Sequence, residues 1–194
     1  MPMCKKLLQI SLPFTLLIVV FLFLGNKTCF TQQDEQDDWL SFQTAYFTVY
    51  YKPDVNLKRV LGRLSSRDLP YSRNAPTYTL SGIEAKLAYR FDTLFMRVKD
   101  ILGMNIDKTD IKIRIYKNRK NVSAELCYLN SADEACKSFY VYRYNTIYSS
   151  EQDITDSIVA HEMAHAVIDN YFSTAPPEKT AEMLATNVDA HLDD

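Results

Sequence analysis

Two of the three histidines in this 194-residue chain, His161 and His165, stand four positions apart. Side chains at this spacing lie one turn apart on the same face of an α-helix, so the two imidazoles can converge on one metal ion. Buried imidazoles need polar partners, and a metal would serve both at once. The surrounding apolar residues predict a buried helix: Ile154, Ile158, Val159, Val167 and Ile168.

Glu162 completes the pattern His-Glu-x-x-His over residues 161–165. It lies about 100° further round the helix than His161. From there its carboxylate can reach a water on the metal rather than the metal itself. The pattern therefore predicts that Glu162 is a catalytic general base in metal-assisted hydrolysis. The alternative is a pair of surface histidines with no metal.

A catalytic zinc site takes three protein ligands and keeps one open position, so a third ligand is required. Glu182 is the preferred candidate, 17 residues after His165 and beyond the helix-breaking pair Pro176-Pro177. It falls within a last helix predicted from about Glu178 to Leu192. The small residues Ala181 and Ala185 beside it would allow that helix to approach the first.

Other third ligands are weaker candidates. Glu178 stands at the start of the last helix, and His191 lies near its end. The longer pattern HExxHxxGxxH does not fit, because Ile168 occupies the glycine position and Tyr171 the position of the third histidine.

The sequence His161-Glu162-x-x-His165 with Glu182 downstream resembles the gluzincin zinc metallopeptidases of the MA-like clan. The resemblance covers about residues 44–194 and is strongest over 139–189. It implies an α+β fold: a compact zincin-like domain with a small mixed sheet packed on helices, an active helix carrying HExxH, and a C-terminal helix carrying the glutamate. It implies Zn²⁺ as cofactor and a peptide or protein as substrate.

The same resemblance implies a substrate edge and an oxyanion stabiliser. Residues Asn145 to Ser149, together with Phe139 to Tyr144, would form the sheet edge along which substrate lies extended. Many gluzincins supply the oxyanion stabiliser from a region beyond the glutamate helix, and only 12 residues follow Glu182 here. We therefore expect an upstream tyrosine, with the choice left open among Tyr140, Tyr142, Tyr144, Tyr148 and Tyr171.

Two aspartates are candidates to orient the histidines by accepting a ring N–H. Asp169 follows His165 by four residues, and Asp189 follows Glu182 by seven, which is close to two full turns. For both, a solvated surface carboxylate is an equal alternative.

Hydrophobic periodicity and capping residues predict the remaining elements. In chain order they are a strand over Tyr46–Tyr51, a short helix capped by Asp54 and running to Leu64, a long helix opened by a Ser81–Glu84 capping box and stopped by Gly103, a strand over Ile111–Tyr116, a short helix over Asn121–Tyr128, strands over Phe139–Tyr144 and Asn145–Ser149, and the active helix over Asp153–Phe172.

The N-terminal residues predict export. Leu7 to Leu24 is almost wholly apolar and uncharged, and Lys5 and Lys6 precede it. That layout is typical of a secretory signal, and the apolar stretch is also long enough to anchor the chain in a membrane. Either reading of residues 1–30 places the rest outside the cytoplasm, for instance in the periplasm. Residues 31–38 read as a linker and 39–194 as the folded domain.

Composition excludes one class of partner but does not decide whether the cysteines of the domain are bonded. The net charge is −2 and no basic block occurs, which argues against nucleic acid as a partner. Cys127 and Cys136 lie within the domain, where they could form a disulfide or remain two thiols.

These observations predict zinc-dependent peptide-bond hydrolysis by a small exported or membrane-anchored metallopeptidase. The main alternative is a non-catalytic zinc-binding domain that binds a protein partner through a tyrosine-rich rim formed by Tyr140, Tyr142, Tyr144 and Tyr148. A membrane-tethered binding module without metal is a third class.

Overall fold

The computed structural model describes residues 38–64, 80–106, 110–130 and 136–194. Its elements, in chain order, are β1 (Leu40–Gln43), β2 (Phe47–Tyr51), α1 (Leu57–Arg63), α2 (Gly82–Leu102), β3 (Ile111–Tyr116), α3 (Arg119–Asn130), β4 (Ser138–Val141), a 3-10 turn (Tyr142–Tyr144), β5 (Thr146–Ser150), α4 (Asp156–Tyr171) and α5 (Glu178–His191).

The predicted signal or anchor, and the predicted linker up to residue 37, lie outside the described residues. Among the helices that are described, none is both long enough and apolar enough to cross a membrane.

The five strands form one mixed sheet in the order β1-β2-β3-β5-β4. Strands β2, β3 and β5 run parallel, while β1 and β4 pair antiparallel at the two edges. The central strand β3 directs Ile111, Ile113 and Ile115, which are all fully buried, into the core on one face of the sheet. The expected α+β fold, a small mixed sheet packed on helices, is therefore confirmed.

The two faces of the sheet carry cores of different size. The larger core joins the sheet to α1, α2, α4 and α5 and includes Phe91, Ile147 and Met163. The smaller core lies under α3 on the opposite face, where Tyr148 stacks on Phe139 with ring centroids 4.7 Å apart. Consecutive residues of β5 point to opposite faces, so Ile147 and Tyr148 belong to different cores.

The strand order corrects the expected substrate edge. Strand β5 lies between β3 and β4, so Asn145–Ser149 is an interior part of the sheet. The edge is β4, and the second half of the strand predicted over Phe139–Tyr144 is instead a 3-10 turn. The alternating tyrosines resemble a strand pattern, but Asn145 in the left-handed region (φ 47°, ψ 47°) reverses the chain there.

Two predicted helix caps are also wrong. Asn56, not Asp54, caps α1, because its side-chain oxygen accepts from the backbone N–H groups of Lys58 and Arg59. Ser81 precedes α2 without a side-chain cap, and Glu84 instead accepts a hydrogen bond from the Tyr51 hydroxyl at 2.8 Å.

The ends of the other helices follow the predictions more closely. Gly103 ends α2 in the left-handed conformation, as predicted. Helix α4 begins three residues later than predicted, behind the cap Thr155, because Asp153 is bound to Arg119 and to the Ser150 hydroxyl. Strand β1 was not predicted, since only Phe42 of its four residues is buried.

Neither alternative for the cysteines is correct. Cys136 is a thiol, and its Sγ donates to the carbonyl oxygen of Ser138 at 2.7 Å. Cys127 is disulfide-bonded, so its partner is not Cys136.

A buried carboxylate ties α1 to the sheet. Glu151 directly follows β5 and is fully buried. It accepts hydrogen bonds from the backbone N–H of Asn56 at 2.7 Å and from Lys117 at 2.8 Å, and Arg59 lies 3.0 Å away. Burial opposes the charge, but these partners outweigh it and lower the pKa of Glu151 below its ordinary value.

We expect Glu151→Gln to lower the free energy of unfolding at pH 7 by about 1–2 kcal/mol. The effect is no larger because Lys117 and Arg59 are partly exposed, so solvent screens their attraction to the carboxylate. Because the folded-state pKa is lowered, this stabilisation is present above the ordinary value of 4.5 and is lost as pH falls below it. Urea denaturation of both proteins at pH 7 and pH 3.5 would measure it. An equal difference at both pH values would contradict the prediction.

Candidate metal centre

Helices α4 and α5 supply the candidate ligands and pack in the same core. The buried face of α4 includes Ala160, Met163 and Val167, and α5 buries Ala185 and Val188 in the same core. Pro176 and Pro177 separate the two helices, which lets the chain turn back. Of the two small residues predicted to allow this approach, Ala185 is fully buried and Ala181 is partly buried against the same core.

Three ligand atoms meet where the helices face each other. Nε2 of His161 lies 3.3 Å from Nε2 of His165. The Glu182 carboxylate oxygens lie 3.5 Å from the first of these nitrogens and 3.3 Å from the second. All three groups thus fall within 4.8 Å of one another. Among the described residues, no other group of three or more histidines, cysteines and carboxylates lies close enough to hold a metal ion.

These distances fit a tetrahedral zinc ion. With zinc about 2.0–2.1 Å from each ligand atom, tetrahedral angles place any two ligand atoms about 3.4 Å apart. Imidazole nitrogen and carboxylate oxygen are both common zinc ligands, and three of them leave a fourth position. The side chain of Glu182 is 54% exposed, so the cluster opens to solvent on its side.

The alternative third ligands lie outside this cluster. Glu178 is exposed at the start of α5, and the ring Nδ1 of His191 is bonded to the carbonyl oxygen of Asn187 at 2.9 Å. The geometry therefore supports Glu182 over both.

Asp189 makes the contact that its spacing predicts. Its carboxylate lies 2.9 Å from Nδ1 of His161. A ring N–H donated there leaves Nε2 of His161 with its lone pair toward the cluster. Burial lowers the pKa of His165, which favours the neutral imidazole that binds metals.

Asp169 is not brought to His165. In the described part of the chain, no hydrogen bond joins the two side chains. Asp169 lies close enough to Tyr140 to act on it electrostatically, and burial raises the pKa of Asp169. Asp169 therefore lies beside the edge strand, and the structure does not support the expectation that it orients the ring of His165.

Glu162 lies between the ligand cluster and the edge of the sheet. Its side chain is buried, and its carboxylate is hydrogen-bonded by the backbone of Tyr140 in β4. Burial raises the pKa of Glu162 to about 7, against the opposing charge of His161. The residue is not one of the three clustered ligands, as its helical position predicts.

The contact between Tyr140 and Glu162 was missed by the sequence analysis. The sequence offered one indication of it: β4 and β5 directly precede the active helix along the chain. That order does not identify which backbone group would contact Glu162. A long-range contact of this kind depends on strand order, which local patterns do not determine.

The candidate tyrosines are scattered. Tyr148 is buried in the smaller core on the opposite face of the sheet, so it is no longer a candidate for oxyanion stabilisation. The Tyr140 hydroxyl is bonded to the side-chain oxygen of Asn145 at 3.0 Å. The side chains of Tyr142, Tyr144 and Tyr171 are exposed.

Comparisons with protein-family models, with curated proteins and with solved structures found no match to this chain.

We expect Asp189→Ala to weaken Zn²⁺ affinity by about 10–100-fold, because His161 loses the partner that orients its ring. Asp169→Ala is the matched control and should change affinity little, since Asp169 makes no contact with either histidine among the described residues. Competition with a chelating dye would measure both. A larger effect at Asp169 would reverse the assignment of the orienting carboxylate.

Proposed function

We propose that this chain is a zinc-dependent peptidase with the gluzincin ligand set, acting on a peptide or protein substrate. The observation that carries the proposal is the cluster of His161, His165 and Glu182 at tetrahedral distances, with the buried carboxylate of Glu162 beside it. A purely structural metal site has no need of a buried acid next to its ligands, and burying one is costly.

In this proposal His161, His165 and Glu182 hold the zinc, and Asp189 fixes the ring of His161. When bound, the zinc supplies Lewis-acid chemistry, polarising the substrate carbonyl and a water molecule. Glu162 accepts a proton from the attacking water and delivers it to the leaving amine. Burial and the Tyr140 hydrogen bond hold its carboxylate in one place, so the transfer needs little rearrangement.

The edge strand β4 is the surface for an extended substrate. Its partner β5 occupies one side of Ser138–Val141, and the other side has no strand in the described sheet. A peptide can add to such an edge through main-chain hydrogen bonds. The Tyr140 contact with Glu162 places this edge beside the proposed general base.

The zincin-like description of the fold belongs to the same proposal. It is supported by the order of a long helix, an antiparallel edge strand, a parallel strand, the HExxH helix and the glutamate helix. We also propose that the domain acts outside the cytoplasm, with residues 1–30 as signal or anchor, on the basis of Lys5, Lys6 and the apolar stretch that follows.

A non-catalytic zinc domain that binds a protein partner is the second candidate. Exposed aromatic side chains favour it, since Tyr142 is 67% and Tyr144 43% exposed, and Tyr171 and Phe172 are also at the surface. The rim is smaller than the sequence suggested, because Tyr148 is buried. The retained Glu162 favours the peptidase.

The first test of the proposal is metal content. The protein should bind one zinc per chain, and His161→Ala, His165→Ala or Glu182→Ala should each lose most of it. Glu178→Ala is the matched control on α5 and should bind zinc like the wild type. Elemental analysis after dialysis gives the result. Absence of zinc from the wild type would favour a binding module without metal.

The second test separates catalysis from metal binding. Glu162→Gln keeps the side-chain size but cannot accept the proton, so it should retain zinc and lose peptide cleavage by about 10²–10⁴-fold. Glu178→Gln, an exposed glutamate on α5, is the control. A peptide library assayed with both proteins measures this.

No cleavage by zinc-loaded wild type across the library would favour the partner-binding domain. Equal cleavage by wild type and Glu162→Gln would show that another residue is the base.

A further inference from the structure

Three polar side chains join the edge strand to the end of the active helix. The Tyr140 hydroxyl donates to the side-chain oxygen of Asn145 at 3.0 Å. The side-chain amide of Asn170, in the last turn of α4, donates to the same oxygen at 3.2 Å and to the carbonyl of Ala166 at 2.8 Å. The side-chain oxygen of Asn145 therefore accepts one hydrogen bond from strand β4 and one from helix α4.

Asn145 is itself held firmly. Its side-chain amide donates to the carbonyl oxygen of Asp110 at 3.0 Å, and its own carbonyl accepts from the backbone N–H of Lys112 at 2.9 Å. It is the one residue other than glycine with positive φ in the described part of the chain. A left-handed asparagine costs energy, which persists where the surroundings compensate for it. Here the hydrogen bonds to β3, β4 and α4 do so.

Tyr140 thereby contacts α4 at two points. Its backbone hydrogen-bonds the Glu162 carboxylate, and its side chain reaches the region of Asn170, eight residues further along the helix. Eight residues correspond to about 12 Å of helix. Burial raises the pKa of Tyr140, so its hydroxyl remains protonated and can donate. Contacts on two separate turns of the helix restrain the position of Tyr140, and through its backbone that of β4, relative to α4.

We propose that Tyr140, Asn145 and Asn170 are positioning residues, which hold the edge strand β4 at its working distance from Glu162 and the ligand cluster. This inference rests on the proposed peptidase function, because it assigns to the network the alignment of the substrate edge with the general base. None of the three side chains acts on the reacting atoms. Their effect passes through the backbone of β4.

Three variants test the network in the full chain. Tyr140→Phe removes the hydroxyl and keeps the backbone contact. Asn145→Gly removes the shared oxygen but suits the left-handed backbone, so strain does not confound the result. Asn145→Asp keeps an acceptor for Tyr140 and Asn170 but loses the amide donor to the Asp110 carbonyl, so it is a partial rescue. Tyr128→Phe, an exposed tyrosine on α3, is the matched control.

We expect all four variants to retain one zinc per chain. Tyr140→Phe and Asn145→Gly should each lower kcat by about 10–100-fold, as misplacement of reacting groups does, and their double variant should fall no further. Asn145→Asp should recover part of the loss, because it restores the shared acceptor but not the donor to Asp110. In the two disruptive variants, hydrogen exchange of the β4 amides should be roughly fivefold faster or more, with β3 amides unchanged.

Wild-type kcat and unchanged β4 exchange in Tyr140→Phe and Asn145→Gly would overturn the inference while leaving the proposed function intact. A loss of stability with kcat unchanged would also overturn it, because the network would then be structural only. If zinc-loaded wild type cleaves no peptide, the proposed function fails and the positioning role fails with it. The exchange rates would then report only whether the network fixes the strand.

Discussion

Helix α4 is buried on the side that faces the sheet and helix α2, and four of its polar side chains, of which Glu162 is buried, have partners on neighbouring elements. Buried polar groups are stable only when they are hydrogen-bonded. Their partners lie on three elements: that of His161 on α5, that of Glu162 on the edge strand, and that of Asn170 on the turn before β5. His165 meets Glu182 of α5. The polar side chains of this one helix therefore determine where its neighbours lie.

The part of the site that could be predicted is the part governed by helix periodicity. The spacing of His161 and His165 places their nitrogens together, and the two turns from Glu182 to Asp189 place both carboxylates toward α4. Strands β2, β3 and β5 and the long helix ending at Gly103 were predictable for a similar reason, since they depend on local patterns.

The parts that could not be predicted depend on contacts distant in the sequence. The position of β5 inside the sheet depends on its pairing with both β3 and β4, and the alternating tyrosines of 139–144 continue the strand pattern through a turn. Tyr144 and Tyr148 lie only four positions apart, yet Tyr148 is buried and Tyr144 is exposed. Helical spacing predicted that Asp169, like Asp189, would lie beside a ligand histidine, but Asp169 lies near Tyr140 of the edge strand.

The way α5 is attached has a consequence for the lifetime of the protein. Of its fourteen residues only Ala185 and Val188 are fully buried, and the segment from Phe172 to Pro177 that leads into it is largely exposed. Besides this apolar packing, His161 and His165 of α4 contact Glu182 and Asp189 of α5. In the proposed zinc-bound form, the metal would link the last helix to α4 through Glu182 and the two histidines. Because a ligand that binds only the folded state stabilises that state by mass action, zinc would stabilise the docked position of α5. The metal supply of the surrounding compartment would then set how quickly proteases can open this end of the chain.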